Sequence, residues 1–411
     1  MEDFFNVLKV KDFITILKAL PVGGKQEVKL AQARGRYLAE DIVSFEYLPA
    51  TNRSSMDGYA VRSKDTFGAS EANPVYLEIS GQVAIDEIPQ DRLESGLCVR
   101  IVTGSTLPPG ADSVVMVEHA HEMGGQTVEI RKPVAPWENV MLKGEDITSN
   151  DVALRAGMKV SAPRAGILAA LGRENVDIGV APRVGIISTG DELVPISQTP
   201  APGYIRDVNS HTLAHIAAEE GCEVNIYGIV PDLKDEVQAS LVKALDENDV
   251  VLVSGGSSVG NRDFTLTALS GIEGMEVIVH GLALSPGKPT IFARKGDKYV
   301  WGLPGQVTSA QIVMLILVIP FLRHLQGKSD SFDLNKDFFL RARLSRNIAS
   351  KYGREDYVRV RLKKDGTRII AVPVPGKSGL LKTLLEADGI IRIAENCEGL
   401  SQDDEVMVRL V

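Results

Sequence analysis

Apolar residues recur at three- and four-residue intervals near the start of the chain, at Phe5, Leu8, Phe13 and Leu17, and again through LAQARGRYLAEDI. That spacing lines one face of a helix, so residues 1–45 are expected to be helical. From residue 44 to about 136 the pattern shortens to apolar runs broken by Gly and Pro, as in PVYLEISGQV, LCVRIVTG and ADSVVMVEHA, which predicts strands. Helical character returns in APRAGILAALG (162–172). A β segment therefore interrupts a helical domain made from two separate stretches of chain.

A regular alternation begins at residue 183. RVGIISTG, CEVNIYGIV and DVVLVSGG are apolar strands, and SHTLAHIAAEEG and DEVQASLVKALDEN are the helices between them. Strands alternating with helices of this length predict a parallel sheet covered on both faces. VIVHGLAL, KPTIFAR and KYVWGLPG extend that sheet, and a helix from 308 to about 326 closes it. After GKSD, five short strand-like runs (DFFLRARL, DYVRVRLK, RIIAVPVP, GIIRIAE, EVMVRLV) are enough for a small β-barrel or sandwich.

Composition narrows this picture. A chain of 411 residues exceeds what one core usually supports, so two to four domains are expected. The formal charge is −9, from 45 basic and 54 acidic residues, which argues against a general nucleic-acid binder. A small anionic ligand stays compatible, because a few cations and backbone N–H groups can reverse the field in one pocket. The longest apolar run, IVMLILVIPFL (312–322), falls short of the roughly 20 residues of a membrane span and reads as a buried helix. The start MEDFFNVLKV lacks the features of a signal peptide, and three scattered cysteines match no zinc pattern. A cytoplasmic protein with reduced thiols is the simple expectation.

Ligands of open α/β sheets bind beyond the C-terminal ends of the strands. Those ends carry STGDEL (188–193), GGSSVGNRD (255–263), SPGKP (285–289) and LPGQ (303–306). Any one of these alone is more often an ordinary strand-to-helix turn. Four on one edge make a pocket. The loop at 255–260 lacks the GK[ST] of a phosphate-binding Walker loop, and Ser257 breaks the GxGxxG dinucleotide spacing. PGKS (375–378) lacks the first Walker glycine, since Ala371 stands there. Asp191, Glu192, Asp232 and Asp263 all follow strand ends. Helix capping is the commoner duty of such acids, above all for Asp191 and Asp232. Carboxylates beside phosphate otherwise repel it unless a cation such as Mg2+ lies between them, and Lys288 is the natural counter-charge. His211 and His215 have the i,i+4 spacing of metal ligands but no glutamate between them, so a packed or surface pair is expected.

Taken together, SMDGYAV, VRIVTG with PPGADSVV, KGEDI, STGDEL, GGSSVGNRDF, PGKPT, GLPG and EADGIIRI resemble the molybdopterin molybdenumtransferase family, which includes the bacterial MoeA proteins and the gephyrin E domain. The resemblance runs through nearly the whole chain in one order. It implies a multidomain α/β plus β fold: a discontinuous helical domain (1–45 and 137–180), an inserted β domain (46–136), a central parallel-sheet molybdopterin-binding α/β domain (181–327) and a C-terminal β-barrel (328–411). It also implies a homodimer with the active site in a cleft between the α/β domain of one subunit and the SMDGYA-bearing region of its partner. The implied substrates are adenylylated molybdopterin and molybdate. Molybdenum is left on the pterin dithiolene and AMP released, with Mg2+ required. A molybdopterin adenylyltransferase and cofactor-accepting enzymes are the implied partners; no nucleic acid or membrane is.

Carried over motif by motif, the resemblance implies catalytic or molybdate-side roles for Asp57, Thr103 and Asp146. Glu192, Asp232 and Asp263 would surround phosphate and metal, with Glu192 and Asp263 also catalytic. Gly255, Gly256, Ser257, Ser258, Ser285, Lys288, Arg354 and Ser378 would contact the pterin substrate. Two positions depart from the family pattern: Ser285 replaces a basic residue before PGKP, and LPGQV stands where LPGNP is usual. These departures leave open a tungstate-preferring paralogue or a non-catalytic pterin-binding scaffold. The shorter adenylyltransferases that share the α/β domain lack the SMDGYA and GED regions, so chain length argues against that step.

Overall fold

In the computed structural model, which describes residues 7–124, 126–255, 264–338 and 340–411, one six-stranded sheet organises the larger of two units. This unit combines Met1–Glu40, Ala156–Ala165 and Glu174–Val411. Its strands are β1 (Arg183–Thr189), β2 (Glu223–Val230), β3 (Val250–Ser254), β4 (Glu276–His280), β5 (Ile291–Lys295) and β6 (Lys298–Leu303), in the order β2-β1-β3-β6-β5-β4. All five residues of β3 are buried. Successive side chains of a strand point to opposite faces. Val250 and Leu252 therefore join one core with Val184, Ile186 and Trp301, while Val251 and Val253 join a second with Val237, Leu241 and Val300. Only a strand covered by helices on both sides needs such an unbroken apolar run.

The first core also takes in the helix Val10–Lys18, whose Phe13 ring lies 5.4 Å from Phe292 and 5.5 Å from Trp301. The apolar run at 312–322 lies within a helical stretch, Val307–Leu325, that is largely buried in this core. A single π-helical turn, Met314–Val318, interrupts its α-helical geometry.

Two expectations are corrected here. The second half of residues 1–45 is not a helix. It contains a strand, Lys25–Lys29, paired antiparallel with Asn175–Gly179, and one 3-10 turn at Leu30–Gln32. Gly35 has φ 78°, and the backbone beyond it bonds to 158–160, with Leu38 N–H donating to Met158 O and Val160 N–H to Arg36 O. These pairings outweigh the modest helix propensity of LAQARGRYLAE. The sheet is also mixed rather than wholly parallel: β2, β1, β3 and β6 run parallel, whereas β5 runs antiparallel to both β6 and β4. Lys295 faces Lys298 across a two-residue turn, which is far too short for a parallel crossover.

C-terminal to the sheet, β7 (Leu340–Leu344), β8 (Glu355–Asp365), β9 (Arg368–Pro373), β10 (Gly389–Ile393) and β11 (Glu405–Leu410) form a closed five-stranded barrel. Closure comes from β8, which pairs with β9 on one side and β10 on the other. Ala342, Leu344, Val360, Ala371, Ile391 and Val408 fill it. The smaller unit, Asp41–Arg155 with Gly166–Arg173, is built on a second six-stranded sheet. Gly58–Val61 lies there between Leu97–Ile101 and Ser113–Met116, over a core of Tyr59, Val61, Leu77, Ile79 and Val128.

Truncating Phe13 removes the ring that joins the N-terminal helix to the sheet. Phe13→Ala is expected to lower the unfolding free energy of the larger unit by about 3–5 kcal/mol. Guanidinium unfolding followed by tryptophan fluorescence checks this, since Trp301 reports from the same cluster.

Candidate functional site

The register brings the sheet's loops to one edge. Ser188 of β1 lies opposite Ser254 of β3, Ser254 opposite Leu303 of β6, and Ile291 of β5 opposite Gly302 of β6. STGDEL, the start of the glycine loop and LPGQ leave from strand ends here. SPGKP enters here because β5 runs the other way. Backbone contact fixes the packing: Gly255 has φ 105°, and a Cβ there would lie 2.1 Å from Thr189 O. Only glycine permits that approach. Gly256, Ser257, Ser258 and Asp263 lie outside the described residues.

Asn209, which the motif reading missed, ties this edge together. Its Nδ2 donates to Ser254 Oγ at 2.6 Å and to Gly305 O at 2.9 Å, joining the ends of β3 and β6. The Asn209 Oδ1, Ser188 Oγ and Ser210 Oγ atoms are buried and have no partner among the described residues. Buried polar atoms are nearly always satisfied, so three orphans at one strand edge are a place for ligand or water atoms.

Asp191 and Asp232 do not cap helices, contrary to the commoner expectation. The helix Lys234–Glu247 starts after Leu233 with no side-chain cap, and Asp191 Oδ1 instead accepts the Asp232 N–H at 3.1 Å. Burial, followed by the charges of Asp191 and Glu192, raises the Asp232 pKa. The loops after β1 and β2 therefore hold three carboxylates in mutual repulsion. Among the described residues no group of three or more His, Cys, Asp or Glu forms a ready-made metal cage. His215 is exposed and its Nδ1 lies 2.7 Å from His211 O, as expected for a surface pair.

Lys288 is exposed on the SPGKP loop, whose end is pinned by the Leu282 N–H bond to Lys288 O at 2.8 Å. Leu284–Ser285 pairs with Glu355–Asp356 of β8. This places Ser285 beside Asp356, which accepts from Ser350 Oγ at 2.8 Å and forms an ion pair with Arg354 at 2.8 Å. Arg354 is thus charge-compensated by Asp356. The Ser378 carbonyl accepts two bonds from Thr308, at 3.1 Å from its N–H and 2.6 Å from its Oγ1. A cavity of about 350 Å³, lined by Pro21, Val180, Asp249 and Tyr299 among others, lies where β1, β3 and β6 begin, away from these loops.

In the smaller unit, SMDGYAV and IVTG meet directly. Asp57 Oδ1 accepts from the Thr103 N–H at 2.7 Å and from Thr103 Oγ1 at 2.9 Å. Those two bonds lower the Asp57 pKa, the backbone bond first. Gly58, at φ 158°, lets the chain pass Val115 so closely that a Cβ would sit 1.9 Å from its carbonyl oxygen. KGED is anchored nearby in sequence pairing: Asp146 N–H donates to Leu48 O at 3.0 Å, and Lys143 N–H to Asn52 Oδ1 at 2.8 Å. The Asp146 residue is itself exposed.

Two outcomes follow from these pKa directions. The raised Asp232 pKa means that the folded chain holds this proton more tightly than the unfolded chain, so stability falls as pH rises from the unfolded value through the folded one. Asp232→Asn is expected to raise the melting temperature at pH 7, with the gain shrinking as the pH is lowered through the carboxylate range; an equal gain at every pH overturns this. For Asp57 the sign is opposite. Thr103→Ala should move its pKa up towards the ordinary value, and Thr103→Ser should restore most of the depression, as read by NMR titration of the Asp57 carboxyl carbon.

Family comparison agrees with this geometry. Residues 8–172 match the MoeA N-terminal region (domain I and II), 185–324 a probable molybdopterin binding domain, and 341–411 the MoeA C-terminal region (domain IV). A putative molybdopterin biosynthesis protein of Methanocaldococcus jannaschii is 34% identical over 394 residues, covering 94% of this chain and 92% of that one. A molybdopterin molybdenumtransferase of Staphylococcus epidermidis is 30% identical over 389 residues, covering 93% and 90%. The crystal structure of a molybdopterin biosynthesis MoeA protein from Pyrococcus horikoshii superposes with a TM-score of 0.82 at 29% identity, covering 98% of this chain and all of that one. With its three regions matched in order and relatives aligned end to end, the chain belongs to the MoeA family, the molybdopterin molybdenumtransferases.

Proposed function

We propose that the chain is the molybdenumtransferase of molybdenum cofactor biosynthesis, acting on adenylylated molybdopterin and molybdate. The phosphoanhydride to the nucleotide is cleaved, AMP leaves, and molybdenum stays on the dithiolene of the pterin. What supports this most is the strand edge itself: unsatisfied buried polar atoms beside three mutually repelling carboxylates, with Lys288 on the neighbouring loop.

The chain's own groups have distinct tasks. Asn209 holds the ends of β3 and β6 together, and the orphan Ser188 and Ser210 hydroxyls would bond the ligand at this edge. Lys288 offsets the phosphate charge. Asp57, kept ionised by its two bonds from Thr103, is a fixed acceptor for a proton or hydroxyl on the molybdate side. Asp146 and Asp263 complete the proposed acidic set. Mg2+ keeps several water ligands and takes one or two carboxylates plus substrate phosphate; Glu192, Asp232 and Asp263 would hold it. Bound there, it would supply Lewis-acid stabilisation of charge on the phosphate oxygens.

The proposal includes a homodimer, a cytoplasmic location and the four-domain division at 1–45 with 137–180, 46–136, 181–327 and 328–411. Arg354, already paired with Asp356, acts on the substrate through the placement of Ser285 rather than as a bare cation.

Purified protein mixed with adenylylated molybdopterin, molybdate and Mg2+ is expected to release AMP in proportion to molybdate. Asp57→Ala and Asp232→Ala should each reduce the rate by about 100-fold. No molybdate-dependent AMP in a preparation that binds the pterin would sink the proposal. Because Ser285 removes a positive charge at this edge, tungstate is run beside molybdate; faster release with tungstate identifies the alternative oxyanion.

A further inference from the structure

The barrel contributes a segment to the sheet edge of which the site described above uses only Ser378. Residues 375–385 follow β9 and contain Lys377, Ser378 and the exposed side chains of Leu380, Leu381 and Leu385. This strap is fastened at two points. Within the barrel, Arg359 of β8 donates through Nη2 to Gly376 O at 3.1 Å and through Nη1 to Thr383 Oγ1, and Thr383 Oγ1 in turn donates to Leu380 O at 2.6 Å. At the sheet edge, the Ser378 carbonyl takes both the backbone N–H and the hydroxyl of Thr308.

The second fastening decides where the strap lies. Thr308 is wholly buried and lies two residues beyond LPGQ, the loop that Asn209 binds through Gly305 O. One carbonyl with two donors from a buried residue holds the segment's register as well as its distance. The neighbouring residue, Lys377, is exposed and has no ion pair or side-chain hydrogen bond among the described residues. A solvated lysine on a mobile loop would be unremarked. This one is next to a pinned residue, at an edge where Asp191, Glu192 and Asp232 leave an excess of negative charge for any anionic substrate to overcome.

We propose that Lys377 binds a phosphate group of the substrate and that Thr308 is the positioning residue that keeps it at the ligand edge. The inference rests on the proposed function for the identity of that substrate, but its chemistry is that of any phosphate or pyrophosphate. A contact made equally in ground and transition state changes KM and leaves kcat alone, and that is the pattern expected of a peripheral lysine.

Two measurements test it, one of them independent of turnover. Trypsin cleavage after Lys382, followed by mass spectrometry, reports how firmly the strap is held. Thr308→Val, which deletes the hydroxyl and keeps shape and backbone N–H, should speed this cleavage about 3–5-fold, and Thr308→Ser should restore the original rate. Inorganic pyrophosphate should slow the cleavage in the unaltered protein and fail to do so in Lys377→Gln. In the AMP-release assay, Lys377→Gln should raise the substrate KM about 5–10-fold and Thr308→Val about 3–5-fold, each with kcat within about 2-fold. Unchanged cleavage in Thr308→Val overturns the latch. Equal pyrophosphate protection in Lys377→Gln, or an unchanged KM, overturns the role of Lys377. If the unaltered protein releases no AMP, the proposed reaction fails, and the pyrophosphate protection still decides the phosphate site.

Discussion

Burial of β1, β3 and β6 on both faces is the constraint on which the rest of the larger unit depends. Register is firmly specified wherever a strand face is buried, and most firmly where both are. Here Val250 to Ser254 are buried throughout, and neighbours on both sides are equally covered, so each residue has one place. That fixes Ser188, Ser254 and Leu303 in line. Everything chemical at the edge follows: the backbone contact at Gly255, the span of Asn209 between two strands and the closeness of the acids after β1 and β2.

The acids and the core oppose each other energetically. The carboxylates of Asp191, Glu192 and Asp232 are placed where they repel, and the buried polar atoms near them lack partners. Such an arrangement persists only because the hydrophobic packing beneath it is strong enough to hold the loops in place. The same opposition is absent from the Asp57–Thr103 pair, where two donors stabilise one carboxylate.

Much of this was legible in the sequence. Alternating apolar runs and helices marked the sheet, and glycine at the strand ends marked the edge where the loops gather, because both signals are local. What escaped was set by contacts between distant segments. LAQARGRYLAE carries a helical pattern, yet its backbone bonds go to residues 158–160, which no local pattern announces. Asp191 looked like a cap and instead accepts from the next loop. Asn209, in RDVNSH, gave no motif at all; its importance lies in bonds to Ser254 and Gly305, 45 and 96 residues away. The reversal of β5 was readable after the fact, since only two residues, Gly296 and Asp297, separate it from β6. The four glycine-edged loops do follow like-directed strands, β1, β3, β4 and β6; what the pattern missed is that β5, set between the last two, runs against them.

The β5–β6 hairpin has a practical consequence for anyone who handles the protein. Its turn points away from the glycine-edged loops, at the other end of the strands, and Lys295, Gly296 and Asp297 are exposed. A peptide tag or fluorophore spliced between Gly296 and Asp297 would lengthen a surface turn and leave the strand pairing from Ile291 to Leu303 intact, as exposed loop tips tolerate insertion well. The backward strand thus puts the glycine-edged loops at one end of the sheet and a turn that can be engineered at the other.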